Sequence, residues 1–235
     1  MTQPRLLALD TATPRAALAL LGSDGTVITA APDPAVRHGR VLVPAVRDLL
    51  AAAGLKVADL DGLVVGLGPG SYTGLRIGIT AAKTLAYAAG KPLAGLDSLE
   101  IVAHNAPAEA LRVAVIADAQ RGDLYAADFA RESAGGVLLR LTPTRVVSFD
   151  AWAAALAEGT LVLGPAAALE RVAVRLPPWV GIPDNPDIHW PDPHRLAELA
   201  RAVWQSGRRD DPWFLEPVYL RRSAAEEQWD KRAGM

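Results

Sequence analysis

Cysteine is absent from the 235 residues, which excludes disulfides, thiol catalysis and thiolate metal sites together. Histidine is scarce: there are four, at positions 38, 104, 189 and 194, and no two have the i, i+4 spacing that lets paired imidazoles on one helix hold a metal. His189 and His194 lie nearest to it, but Trp190, Pro191, Asp192 and Pro193 stand between them and cannot continue a helix. These absences weigh against a metallopeptidase, and neither a metal nor any other cofactor is expected. No stretch approaches the roughly 20 uninterrupted apolar residues of a membrane-crossing helix. The first residues lack the charged, apolar and cleavable pattern of a secretory signal, since Asp10 and Arg15 interrupt the first apolar run. A cytoplasmic protein with no membrane contact is expected. Positive charge is not in excess either, with 24 Lys and Arg against 26 Asp and Glu. A chain that gripped nucleic acid unaided would need a dominant basic surface, so any RNA role is indirect or local.

What is present is apolar material, 51% of the residues, enough for one large domain or two small ones. Residues 5–9 (RLLAL) read as a strand buried on both faces, followed by the turn DTATP and a second apolar run at 16–21. GSDG marks a hairpin, and TVITAA resumes as a third strand. After Pro32 and Pro34, Leu42, Val46, Leu49 and Ala53 recur at helical spacing and predict a helix over 36–53, closed by Gly54. LDGLVVGL at 61–68 is a buried strand, 75–89 a helix and 92–96 a strand again. From residue 111 the pattern repeats: RVAVIADAQRGDLYAADFA follows the order strand, Asp, polar turn, strand, and VLLRLTPTRVV reads as a third strand. Helices near 150–157, 166–175 and 194–206 surround the strand TLVLG. Two such units, each with an aspartate closing its first strand, match the duplicated α/β architecture of the actin, Hsp70 and sugar-kinase superfamily, a ribonuclease H-like fold of two lobes. The expected division is an N-terminal lobe over 1–104, a C-terminal lobe over 105–212, and a segment over 213–235 returning to the first lobe. The proline-rich stretch 177–193 reads as a long surface loop.

The densest chemical signal is GLGPGSYTGLRIG. Gly68, Gly70 and Gly74 permit left-handed angles or close approach, and Ser71 or Thr73 can cap the helix that follows. A glycine turn at a helix start suits an anion. Yet the lysine of a phosphate-binding G-x-x-x-x-G-K-[ST] loop is missing, because Leu75 follows Gly74. Phosphate binding and a tight structural turn both remain open. Asp10 and Asp118 stand at strand ends, where carboxylates hold a metal-bound nucleotide in this superfamily but also serve as turn caps through local backbone bonds.

The segment Gly68, Pro69, Gly70, Ser71, Tyr72, Thr73, Gly74 with Leu75 and Arg76 resembles the signature of the TsaB (YeaZ) family, and LALDTAT, DAQRGDLYAA and EPVYLR support it in the right order. The resemblance implies a non-catalytic subunit of the bacterial machinery that installs threonylcarbamoyl on adenosine 37 of tRNA. Such a protein is a shortened relative of the transferase TsaD. The metal histidines of TsaD would fall at Ser98 and Val102, and neither residue replaces imidazole as a ligand. The second phosphate loop reads DAQRGD rather than a glycine cradle, Gly164 in GPAAAL keeps a trace of the adenosine-side turn, and the late helix lacks TsaD's Asp-Asn pair. The rival classes, an ATP-dependent transferase or kinase and a metallopeptidase, are therefore disfavoured.

The 75–89 helix carries one narrow polar stripe (Arg76, Thr80, Lys83, Thr84, Tyr87) and is apolar around the rest, so it demands burial on two sides. The second side can meet the chain's own 36–53 helix or another subunit; for the latter, the small residues Gly78, Ala81, Ala82, Ala86 and Ala89, with Leu85, and Val41, Val43 and Ala45 on the preceding helix form the expected interface. The family resemblance implies a homodimer when alone, a TsaD-like partner through these helices, a TsaE-like ATPase through the complex, and tRNA only within it. Arg221, Arg222, Lys231 and Arg232 are candidates for that tRNA contact, and Trp229 for an anchor.

Overall fold

The computed structural model describes residues 2–220, so Arg221, Arg222, Trp229, Lys231 and Arg232 lie outside the described residues. The first sheet comprises β1 (Leu6–Asp10), β2 (Ala17–Leu21), β3 (Val27–Ala30), β4 (Gly62–Gly66) and β5 (Leu93–Leu96) in the order β3-β2-β1-β4-β5. The β1–β2 and β2–β3 pairs are antiparallel, while β1–β4 and β4–β5 are parallel. Every residue of β1, β2, β4 and β5 is buried, which explains their unbroken apolar sequences: a strand covered on both faces has no solvent side to alternate towards. Between the strands run α1 (His38–Ala52) and α2 (Tyr72–Ala89). These cover the face that carries Leu7, Leu9, Leu18, Leu20, Leu63 and Val65.

Helix α3 (Ser98–Ala103) follows β5. The second sheet is built from β6 (Arg112–Asp118), β7 (Asp123–Ala130), β8 (Leu139–Arg140), β9 (Arg145–Ser148) and β10 (Thr160–Leu163), with α4 (Phe149–Ala154) and α5 (Ala166–Ala173) on one face. The run expected as one strand, VLLRLTPTRVV, is instead split between β8 and β9, both paired with β7. Pro143 lies in the gap, and Leu141 turns its N–H to the Asp128 carbonyl.

The lobes exchange helices. α3 comes from the first lobe but packs Leu99, Val102 and Ala103 against Val113, Val115, Ala127 and Phe129 of the second sheet. α6 (Pro193–Gln205) does the reverse, laying Leu196, Ala197, Leu199 and Ala200 on Leu6, Ala8, Ala19, Leu21 and Val64. By packing, then, α6 does not belong with the C-terminal lobe over 105–212, where its place in the chain put it. Sequence order assigns a helix to its neighbours in the chain, whereas apolar faces choose the sheet that has room.

After α6 the chain lies along the edge of the first sheet. Asp210 donates its N–H to the Leu93 carbonyl and accepts from Gly95 N–H, Leu215 is buried in the first core, and Val218 N–H bonds Leu67 O.

Candidate functional site

Helix α2 starts at Tyr72, three residues before the expected 75, because Ser71 caps it: the Ser71 hydroxyl accepts the Gly74 N–H at 3.2 Å. The glycine turn leans on the β1–β2 turn. Gly68 has φ +98°, a left-handed angle that favours glycine. Gly70 and Gly74 have ordinary angles and are needed for space: a Cβ on either would come within 2.2 Å of a carbonyl, Ala12 O and Thr11 O respectively. Ser71 N–H donates to Ala12 O at 2.7 Å, and Thr11 Oγ1 donates to Gly74 O at 2.8 Å. The amides of Gly68, Ser71 and Gly74 are thus already engaged within the protein.

Asp10 ends β1 with no exposure to solvent. Its Oδ2 accepts the Ser98 hydroxyl at 2.5 Å and its Oδ1 accepts Ala12 N–H at 3.0 Å. Burial pushes its carboxyl above the usual range, opposed by the Ser98 and Ala12 bonds. A Cβ at Gly66 would sit 1.8 Å from Oδ2, so glycine leaves the room that this carboxylate fills. Ser98 and Val102, the positions aligned with metal histidines, are both buried: Ser98 is taken up by Asp10 and Gly68, and Val102 lies in the second core. His104 ends α3, and burial pulls its imidazole below the usual pKa.

Asp118 is separate and half-exposed, with Arg171 Nη1 at 2.6 Å and Gln120 N–H at 2.8 Å on the same oxygen. The DAQRGD turn that follows holds Gln120 and Arg121 at φ 64° and 55°, and Gly164 approaches Ile116 O so closely that a Cβ would reach 2.2 Å from it. Among the described residues no three His, Cys, Asp or Glu side chains gather where they could hold a metal. Nor is any helix there long and apolar enough to cross a membrane.

The expected interface divides. Val43 is 64% exposed, and Val41, Ala45, Ala81, Leu85 and Ala89 are partly buried. Gly78, Ala82 and Ala86 are not available to another molecule: Ala82 is fully buried, Ala86 is 1% exposed, and a Cβ on Gly78 would lie 2.1 Å from Thr11 Oγ1. They continue the core row of Leu75 and Ile79. A helix apolar nearly all round does not reveal from its own sequence which side meets its sheet.

The polar stripe of α2 was legible, but not its purpose. Arg76 Nε donates to the Tyr219 hydroxyl at 3.0 Å and stacks over Tyr72 at 4.0 Å, Lys83 Nζ donates to Leu215 O at 3.1 Å, and Tyr87 meets Trp213 edge-on at 5.6 Å. The stripe seats the 210–220 segment. That segment leaves Trp213 72% and Phe214 81% exposed, a pair sequence reasoning passed over although the Asp211 side chain, accepting Trp213 N–H, marks a turn there.

Two half-duplicated sheets with exchanged helices define an α/β protein of the actin-like fold. A family model described as TsaD, tRNA N6-adenosine threonylcarbamoyltransferase, matches residues 30–177. The tRNA threonylcarbamoyladenosine biosynthesis protein TsaB of Bacillus subtilis is 32% identical over 228 residues, 95% of this chain and 97% of that protein. The protein of the same name from Escherichia coli is 30% identical over 98% of this chain and 99% of its own length. Among solved structures, an uncharacterized protein with similarity to peptidase YEAZ from Pseudomonas aeruginosa superimposes with a TM-score of 0.78 at 30% identity, covering 93% of this chain and 100% of that one. The chain belongs to the TsaB (YeaZ) family. A role in tRNA threonylcarbamoyladenosine biosynthesis goes with that membership.

Proposed function

We propose that the protein is a non-catalytic subunit of the assembly that forms N6-threonylcarbamoyladenosine at position 37 of tRNA, and that it binds and supports a TsaD-like catalytic subunit. The state of Asp10 carries this reading. Actin-like proteins that act on nucleotides present a strand-end carboxylate to a metal-bound phosphate. Here that carboxyl is enclosed and hydrogen-bonded through both oxygens, and burial works against its charged form, so it is not presented to a metal-bound phosphate. With Gly78, Ala82 and Ala86 turned inward, the subunit contact narrows to Val41, Val43 and Ala45 of α1 and Ala81, Leu85 and Ala89 of α2. The same surface joins two copies of the chain when TsaD is absent. A TsaE-like ATPase enters through the complex, and tRNA is met only there.

The test is co-purification with the TsaD of the same host, together with steady-state ATP hydrolysis by the isolated chain. A stable complex and background turnover are expected. Turnover that survives repurification and disappears on changing Asp10 or Asp118 would sink the proposal, as would failure to retain TsaD.

A further inference from the structure

The N-terminal turn of α3 is gripped from both lobes. From the second, Arg140 on β8 sets Nη2 3.0 Å from Glu100 Oε2 and Nη1 3.3 Å from Asp97 Oδ2, and its guanidinium lies over the Phe129 ring at 4.8 Å. Thr144 Oγ1 donates to the same Asp97 oxygen at 2.5 Å. Asp97 Oδ1 meanwhile caps α3 by accepting Leu99 N–H at 2.8 Å. The side chains of Arg140, Asp97 and Glu100 are 24%, 22% and 29% exposed, so water screens this cluster far less than a surface pair. From the first lobe, the next residue, Ser98, donates its hydroxyl to Asp10, accepts Gly68 N–H at 3.0 Å and gives its own N–H to Gly68 O at 2.9 Å.

We propose that Arg140 is an interlobe latch: by pinning Asp97 and Glu100 it holds Ser98 in place, and through Ser98, which bonds both Asp10 and Gly68, the second lobe governs the glycine turn from which α2 starts. The physical path runs from guanidinium to helix cap by an ion pair, from cap to serine along the chain, and from serine hydroxyl to turn amide by a hydrogen bond. Asp97 and Ser98 are adjacent on one helical turn, so a shift in one moves the other. The latch acts on the turn that introduces the proposed subunit face, but it is a property of the isolated chain and does not depend on partner binding.

Hydrogen exchange on the isolated full-length protein tests it. Arg140→Met keeps an unbranched apolar chain against Phe129 and removes the charge. Loss of these charge-assisted bonds should speed exchange at the Gly68 and Ser98 amides about tenfold. Arg175→Met is the matched control, because Arg175 also pairs with an aspartate, Asp150 at 2.6 Å, and stacks on an aromatic, Phe149, without touching α3. It should leave Gly68 and Ser98 unchanged. The latch is refuted if folded Arg140→Met exchanges Gly68 and Ser98 at the parental rate, or if Arg175→Met speeds them equally. Should Arg140→Met fail to fold, Thr144→Val, which removes the hydroxyl that donates to Asp97 and accepts from Arg140 Nη1, is judged by the same two amides. The subunit proposal stands or falls on co-purification, whatever these rates are.

Discussion

At the scale of single residues, two close approaches govern the candidate site. Of the two roles open to Gly70, a left-handed angle or a close approach, the second holds: the Ala12 carbonyl 2.2 Å from a would-be Cβ bars a side chain. Gly70→Ala should therefore destabilise by ~1–3 kcal/mol through overpacking between the two turns, read by urea denaturation; an unchanged midpoint would mean that the turns separate freely. Asp10 makes a pH-dependent contribution whose sign follows from burial. Its folded-state pKa is raised, so as pH rises the unfolded chain ionises first. The stability associated with its neutral form is complete below the ordinary carboxylate range and is lost as pH climbs towards the raised folded value. Asp10→Asn cannot ionise, and its amide still accepts from Ala12 N–H. Melting temperatures of parent and variant, followed between about pH 4 and pH 8, should show the variant gaining on the parent as pH increases. A constant difference across that range would contradict the burial argument.

At the scale of elements, α2 is shared among three neighbours: its own sheet, α1 and the 210–220 segment. The core row leaves no room for charge. Ala82→Glu should yield an unstable or aggregated protein, since an unpaired charge in that core costs several kcal/mol. Val43→Glu stands in solvent in the free chain and should fold with parental circular dichroism, yet fail to retain TsaD in a pull-down. Arg47→Glu, also exposed on α1 but paired with Asp48, is the control for a charge change off the proposed contact. If Val43→Glu binds TsaD like the parent, α1 is not part of the interface.

At the scale of the whole molecule, the lobes are joined by more than the exchanged helices. The proline-rich loop 177–193, read in the sequence as a long surface loop, is stitched down: Asn105 Nδ2 donates to Ile188 O at 3.0 Å and Trp190 O at 2.6 Å, and Arg15 of the first lobe pairs with Asp187 at 2.8 Å. Its prolines limit the backbone freedom lost when the loop is ordered, which suits a tie between lobes. Such ties are in keeping with the partner role proposed above.

By itself the sequence determined what local rules govern: apolar runs that must be covered on both faces, a glycine turn with a hydroxyl residue to cap the helix after it, a helix closed by Gly54, and the thiol chemistry excluded by having no cysteine. Each of these is settled within a few residues by sterics, hydrogen bonding or composition. Tertiary structure alone decided which side of α2 is buried, that α3 and α6 cross to opposite lobes, and that Asp10 is sealed rather than presented. Those outcomes rest on pairs far apart in the chain, Ser98 with Asp10 across 88 residues and Arg76 with Tyr219 across 143. No local pattern records such pairs, because burial and partnering exist only once the lobes have closed on each other.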